Sequence, residues 1–358
     1  NYLPQVATFV LAVLLVLGLY IFIRQSSSNG FRYHNAQLLM LVLIFMLNLI
    51  GLKVVEWVQG GQENGITFIA PVAMGVVLIA LLLDEMLAYV CTVLFSVMAS
   101  ILLNANQDFI FDFRYGFVAA IVSFAAIFAI HRASQRSAIL KAGVMVSLFA
   151  AVSVLVLLLI ESEGKPEQRE LLFTIGYALG SGLLTSVLVM GLMPIFEMSF
   201  GILSALKLVE LSNPNHPLLR KLLTETPGTY HHSIMVGNLS EAAAESIGAN
   251  GLLCRVGSYY HDLGKTKRPS YFIENQTNIE NPHDKIDPKL SKSIIIAHAR
   301  DGAEMLKEFN IPKPIRDIAE QHHGTTLLKY FYYKAKKQAE EQGIEPDFTE
   351  EDFRYPGP

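Results

Sequence analysis

His261-Asp262-Leu263-Gly264-Lys265 sets an imidazole beside a carboxylate, a donor mixture that suits borderline divalent metals such as Mn, Fe, Co, Ni or Zn. A His-Asp dipeptide alone recurs by chance, and its surroundings give this one its weight. Upstream stands Tyr230-His231-His232-Ser233, and downstream come His298 and His322-His323-Gly324. Of the ten histidines, eight (216, 231, 232, 261, 283, 298, 322 and 323) follow residue 215, although most of the chain precedes it. They are gathered, not scattered.

The elements that must position them read as helices joined by loops. Helices are expected at 229–248, 251–263, 288–309 and 312–323, with a fifth, more polar and rich in Lys and Tyr, at 325–342. Ile294 and Ile295 lie four and three residues before His298, and Ile318 and Ala319 stand in the same relation to His322. Both histidines therefore share an inward, apolar face. Buried one by one, each would need its own polar partner, whereas a single metal centre satisfies them together. Between 196 and 211 the pattern is amphipathic, as for one helix leaving a bilayer. Asn213-Pro214-Asn215-His216-Pro217 should end it, with a short helix at 217–223 and a break at Thr226-Pro227-Gly228.

The preceding part is apolar in blocks, at roughly 4–23, 38–58, 66–83, 85–103, 114–130, 138–160 and 171–195. A bilayer core of about 30 Å takes about 20 residues of helix, so these read as seven spans. The third and fourth are separated only by Asp84-Glu85, a tight turn at one surface. Overall 52% of residues are hydrophobic and 17% charged, too apolar for an ordinary soluble protein. Arg24, Arg32, Arg132, Arg136 and Lys141 fall in connections on one side; Lys53, Arg114, Lys165 and Arg169 fall on the other, the last two among Glu161, Glu163, Glu167 and Glu170. This slight bias favours an external N-terminus and a cytoplasmic C-terminal part. Asn48, Lys53 and Glu56 are read as snorkelling near the end of the second span. Gly176 and Gly180 form a GxxxG suited to close helix packing. No polar residues line the span centres as a permeation path would require, so this half is an anchor or a sensor. The net charge of −4 argues against a nucleic-acid polymer as partner. Cys91 and Cys254 supply neither a disulfide framework nor a CxxC metal site. The chain begins at Asn1 and enters an apolar segment almost at once, and is read as a fragment.

The order H…HD…H…HH resembles the HD-domain metal-dependent phosphohydrolases, in the branch with two extra histidines. More narrowly, the chain resembles the PgpH-type seven-transmembrane HD receptors. The residues that carry this are the seven spans, Thr229-Tyr230-His231-His232-Ser233, the 261–265 motif, His298-Ala299-Arg300-Asp301-Gly302, His322-His323-Gly324-Thr325 and the closing Phe353-Arg354-Tyr355-Pro356-Gly357-Pro358. The resemblance implies an all-α chain: a seven-helix transmembrane domain over 1–196, an amphipathic linker over 197–228 and an α-helical HD phosphodiesterase domain over 229–358. It further implies a multi-pass protein of the plasma membrane, with the HD domain in the cytoplasm and cyclic di-AMP as substrate. A homodimer and an extracellular signal are left open.

Residue by residue, the resemblance implies two divalent transition metals, Mn or Fe. His232, His261 and Asp262 would hold one, and Asp262 would bridge to a second held by His298, His322 and His323. His231 would be a neighbour, not a ligand, and His216 and His283 solvated loop residues. The family pattern adds a final aspartate from a helix beyond the Arg-Tyr-Pro-Gly-Pro stretch. The chain ends at Pro358, so the first site is expected to be incomplete here. Two metals about 3.5–4 Å apart can share a hydroxide that is a nucleophile at neutral pH. Asp262 and Lys265 are the expected catalytic residues, Lys265 offsetting charge on the phosphoryl oxygens. Thr229, Thr325 and Thr326 are candidate donors to substrate, and the expected product is linear pApA. Two rival readings are an HD hydrolase of another nucleotide, such as an alarmone or a dNTP, and a non-catalytic nucleotide-sensing receptor.

Overall fold

A long apolar run that leaves water can satisfy its own backbone polar groups only as a helix, and the first part of the chain does so. A computed structural model describes residues 3–28, 34–60, 65–104, 110–131, 133, 135–161, 167–277 and 279–358. The helices are α1 (Leu3–Ser28), α2 (Asn35–Gln59), α3 (Ala73–Leu82), α4 (Glu85–Leu102), α5 (Phe113–Ile130), α6 (Ser137–Glu161) and α7 (Gln168–Phe200). With the 3-10 turn Gly65–Ile69 counted together with α3, seven segments are long and apolar enough to cross a membrane. Arg32, Arg132, Glu163 and Lys165, on which part of the orientation argument rests, lie outside the described residues.

Three details differ from expectation, each for a local reason. The third span is not one helix. Pro71 follows the 3-10 turn and lacks an N–H to continue the ladder, so α3 starts afresh at Ala73. Asn48, at mid-length in α2 and buried, donates from Nδ2 to the Val72 carbonyl beside this break (3.3 Å). It is a core hydrogen-bonding residue and does not snorkel, whereas Lys53 and Glu56 pair with each other at 2.7 Å. Second, the close approach of α6 and α7 does not use Gly176 and Gly180. Gly176 faces open space and Gly180 meets only Ile69. The contact lies at Gly143 and Gly182, where a Cβ on Gly182 would overlap the Gly143 carbonyl oxygen. Ser147 donates to the Leu179 carbonyl (2.6 Å) and Ser186 to that of Ile139 (3.2 Å), tying the two helices across the same seam. Third, residues 196–211 are not one amphipathic helix. α7 continues to Phe200 and ends at Gly201, whose φ of 61° lets its N–H turn back to the Glu197 carbonyl. α8 (Ala205–Leu211) then begins separately.

The chain divides into two compact units, Asn1–Leu206 and Lys207–Pro358. The second contains α9 (Pro217–Glu225), α10 (Pro227–Ser246), α11 (Gly251–Tyr260), α12 (Pro288–Glu308), α13 (Lys313–Gln321) and α14 (Lys329–Glu341). Residues 263–267 form a 3-10 turn instead of extending α11. α14 begins at 329 and not 325, because Gly324 takes a positive φ (53°) and Leu327 bridges to Arg354. That bridge is the only β-pairing among the described residues. Two histidines expected in solvated loops are placed by prolines into structural roles. His216 accepts the Leu218 N–H at Nδ1 (3.3 Å), capping α9, and turns its ring edge-on to Tyr260. His283 is 5% exposed, with Nε2 2.9 Å from the Tyr271 carbonyl.

The α6–α7 seam gives a discriminating test. Gly182→Val forces the helices apart and should lower the thermal midpoint of the detergent-solubilised chain by several degrees, since overpacking costs roughly 1–3 kcal/mol. Gly176→Val should leave the midpoint unchanged. Equal effects would place the contact elsewhere.

Candidate metal centre

The sequence-predicted residues arrive from four separate elements. His232 lies in the second turn of α10. His261 terminates α11 and Asp262 opens the 3-10 turn after it. His298 sits in the body of α12, while His322 caps α13 and His323 follows it. The turn can lie against α12 because of Gly264: a Cβ there would overlap the His298 carbonyl oxygen. The glycine of the motif thus sets the distance between the carboxylate and the α12 imidazole.

Asp262 is at the centre, 2% exposed. Its Oδ1 lies 3.2 Å from His298 Nε2 and 3.6 Å from His322 Nε2, and Oδ2 lies 3.2 Å from His261 Nε2 and 3.8 Å from His232 Nε2. The two carboxylate oxygens therefore face two different sets of imidazoles. One donor set, with all atoms mutually within 4.8 Å, is Asp262, His298, His322 and His323; the other is His232, His261 and Asp262. Both could hold a metal ion.

Hydrogen bonds assign the ring protons. Nδ1 of His261 faces the Ser258 carbonyl (2.6 Å), that of His298 the Ile295 carbonyl (2.5 Å) and that of His322 the Ala319 carbonyl (2.9 Å). A carbonyl can only accept, so each Nδ1 carries the proton and each neutral ring presents a bare Nε2 inward. His298 and His322 bring those two nitrogens 3.4 Å apart. Lone pairs facing one another and a carboxylate leave no proton to bind them together, and Asp262 Oδ1 is buried without a hydrogen bond. A divalent cation placed between them would satisfy these lone pairs together. The residues present fit a divalent metal.

The charge states agree. The Asp262 carboxylate lies 2.8 Å from the Lys265 ammonium, which favours its ionised form. Burial, with His322 and His298 nearby, pushes His323 down to about 3. Burial likewise lowers His232 despite Asp262. Both rings are neutral, with lone pairs available.

Lys265 reaches back one turn to Asp262 Oδ2 (2.8 Å) and also bonds Glu274 Oε1 (2.7 Å), above the ring of Phe272. Burial opposes its charge, but Asp262 and Glu274 outweigh this and raise its pKa. Glu274, Phe272 and Asn275 escaped the sequence reading, since nothing marks them within the loop between α11 and α12. Thr229, a candidate donor to substrate, is turned inward. It is fully buried, donates to Glu274 Oε1 (3.0 Å) and accepts from Asn275 Nδ2 (2.8 Å), holding the partner of Lys265. Thr325 is exposed, its carbonyl accepting from Arg354 (3.1 Å). His231 turns away from both donor sets and lines an apolar cavity of about 310 Å³ with Tyr230, Ile234 and Tyr259. Tyr355, quoted only within the closing motif, lies buried against His323.

Comparison with known proteins covers both units. Residues 2–204 match the family described as 7TM receptor with intracellular HD hydrolase, and residues 229–346 match the HD domain. The cyclic-di-AMP phosphodiesterase PgpH of Bacillus subtilis (strain 168) is 48% identical over 351 residues, 97% of this chain and 48% of that protein. The enzyme of the same name from Listeria monocytogenes serotype 1/2a (strain 10403S) is 42% identical over 354 residues, 98% of this chain and 47% of that protein. The chain thus spans about half the length of these curated relatives. Among solved structures, the L. monocytogenes phosphodiesterase PgpH HD domain in complex with cyclic-di-AMP is 61% identical, covering 41% of this chain and 66% of that one, with a TM-score of 0.38. The match across the seven spans, together with the HD domain that follows, makes this chain a member of the family of 7TM receptors with an intracellular HD hydrolase.

Proposed function

We propose that the chain is a membrane-anchored phosphodiesterase that opens cyclic di-AMP to linear pApA, with two divalent metals held at the histidine cluster. The observation that carries the metal reading is the convergence of three bare Nε2 atoms on the ionised, buried Asp262. Cyclic di-AMP is supported by the activity named for the two curated relatives. Asp262 would bridge the metals, with His298, His322 and His323 on one and His232 and His261 on the other. Bound there, the metals would supply Lewis-acid activation of water and of the phosphoryl oxygens.

The chain's own residues do the rest. The backbone carbonyls of Ser258, Ile295 and Ala319 hold three imidazoles in the tautomer that points a lone pair inward. Lys265, kept charged by Asp262 and Glu274, places an ammonium beside the cluster where negative charge grows on the phosphoryl group. Hydrolysis adds one water across one P–O3′ bond, leaving the phosphate on one nucleotide and a free 3′ hydroxyl on the other. Thr325, on the exposed rim, is a candidate contact to substrate. The spans anchor the protein in the plasma membrane with the HD unit on the cytoplasmic side and relay an external signal to it. The domain boundaries at 196 and 228 are part of the same reading.

Metal and activity are tested together. Titration of the metal-free chain with Mn²⁺ should show two steps, the tighter at the four-donor set. His298→Ala should remove the tighter step and His261→Ala the weaker. The metal-loaded chain should convert cyclic di-AMP to pApA, read by chromatography, and Asp262→Ala should abolish both binding and turnover. No metal uptake would sink the proposal; uptake with nucleotide binding but no product, in a chain extended to supply the final aspartate, would make it a receptor.

Glu274 gives a pH test on the metal-free protein. Burial would raise its pKa, but Lys265 and Thr229 lower it below the ordinary 4.5. Its contribution to stability is therefore present above that value and is lost as pH falls through the lowered one. Glu274→Gln should melt below the wild type at pH 7, with the gap closing under acid conditions. A gap independent of pH would show that the charge is not what matters.

A further inference from the structure

We propose that Tyr355 is the positioning residue for His323, fixing by ring contact the one imidazole of the four-donor set that no backbone carbonyl orients. The inference rests on the metal reading above and goes beyond it. His298 and His322 of the same set, and His261 beside them, are each held by an Nδ1–H bond to a carbonyl three residues earlier. No hydrogen bond among the described residues meets either ring nitrogen of His323. Its ring instead lies nearly flat on Tyr355, with centroids 4.1 Å apart and planes 19° from parallel. His322 packs at 4.1 Å and His298 stands edge-on at 5.1 Å, so the ring is wedged between its fellow donors and the phenol.

A wedge orients only if it is itself fixed, and Tyr355 is. It is 5% exposed, and its backbone belongs to a strap laid across the turn that follows His323. The Tyr355 N–H donates to the Thr326 carbonyl (3.1 Å), Gly357 N–H to Gly324 (3.2 Å), and Leu328 N–H returns to Phe353 (2.9 Å). These bonds tie both sides of Tyr355 to the residues immediately after His323. The ring is thus referenced to the same short stretch as the imidazole it holds. Partners that orient a metal-binding histidine typically change metal affinity about 10–100-fold when removed. Here a stacked ring takes the place of the usual hydrogen bond.

The test is a metal titration of the purified chain in detergent, with affinity read by competition against a chromophoric chelator. Tyr355→Phe keeps the ring and should bind both equivalents with unchanged affinity. Tyr355→Leu removes the flat face and should weaken the tighter step about 10–100-fold while sparing the weaker one. Tyr355→Met, whose flexible side chain refills the space, repeats the measurement should the leucine variant fail to fold. Leucine or methionine variants with the wild-type affinity would overturn the inference. A Phe variant as weak as Leu would also overturn it, because the loss would then belong to the hydroxyl. If the wild type itself takes up no metal, the metal reading fails first, and that result is separate from these.

Discussion

The second unit is arranged around the buried Asp262 carboxylate, one of whose two oxygens has no hydrogen bond. A carboxylate removed from water costs several kcal/mol unless it is paired. Lys265 pairs one oxygen of Asp262; the other faces imidazole lone pairs, which repel it. Three backbone carbonyls maintain that repulsion by accepting hydrogen bonds from the Nδ1–H groups. The helix ends of α11 and α13 and the body of α12 are thus held in an arrangement whose stability waits on positive charge. Folding and metal uptake are coupled wherever donors are preassembled in this way.

The parts of this centre that were legible in the sequence are those whose residue types are costly to bury. A histidine on the apolar face of α12 and another at the end of α13 announce a shared partner by their spacing alone, and the His-Asp pair supplies the charge. Lys265 was legible from its spacing, although its salt bridge to Asp262 and its second partner were not. Glu274, Asn275 and Phe272 were invisible because tertiary folding alone brings the loop between α11 and α12 against the start of α10. Thr229 shows the same limit: it lies near His232 in sequence, and folding turns it inward to Glu274. His216 and His283 looked like loop residues among prolines, yet those prolines fix turns that give each ring a defined partner.

The membrane half shows the complementary limit. Hydropathy gives the number and approximate ends of the spans, because the bilayer dictates length. It does not say which stripe of a helix meets its neighbour. Gly176 and Gly180 satisfy the spacing rule and face away, whereas Gly143 and Gly182 meet because Ser147 and Ser186 bond to carbonyls on either side of them. The break at Pro71 was similarly hidden, since a proline in an apolar run marks a possible kink but not the Asn48 side chain that meets the broken end.

The two donor sets differ in a way that bears on access. In the four-donor set His298 is nearly inaccessible (side chain 2% exposed) and His322 little more so at 15%, so that side is closed by protein. In the other set the His232 side chain is 49% exposed and no carbonyl holds it. The Asp262 oxygen that faces His232 is the one that Lys265 also meets, at 2.8 Å. The asymmetry follows from where the donors sit on their elements. Those on α12 and at the end of α13 are packed between helices, while His232 sits on the outer edge of α10, where only one side is covered.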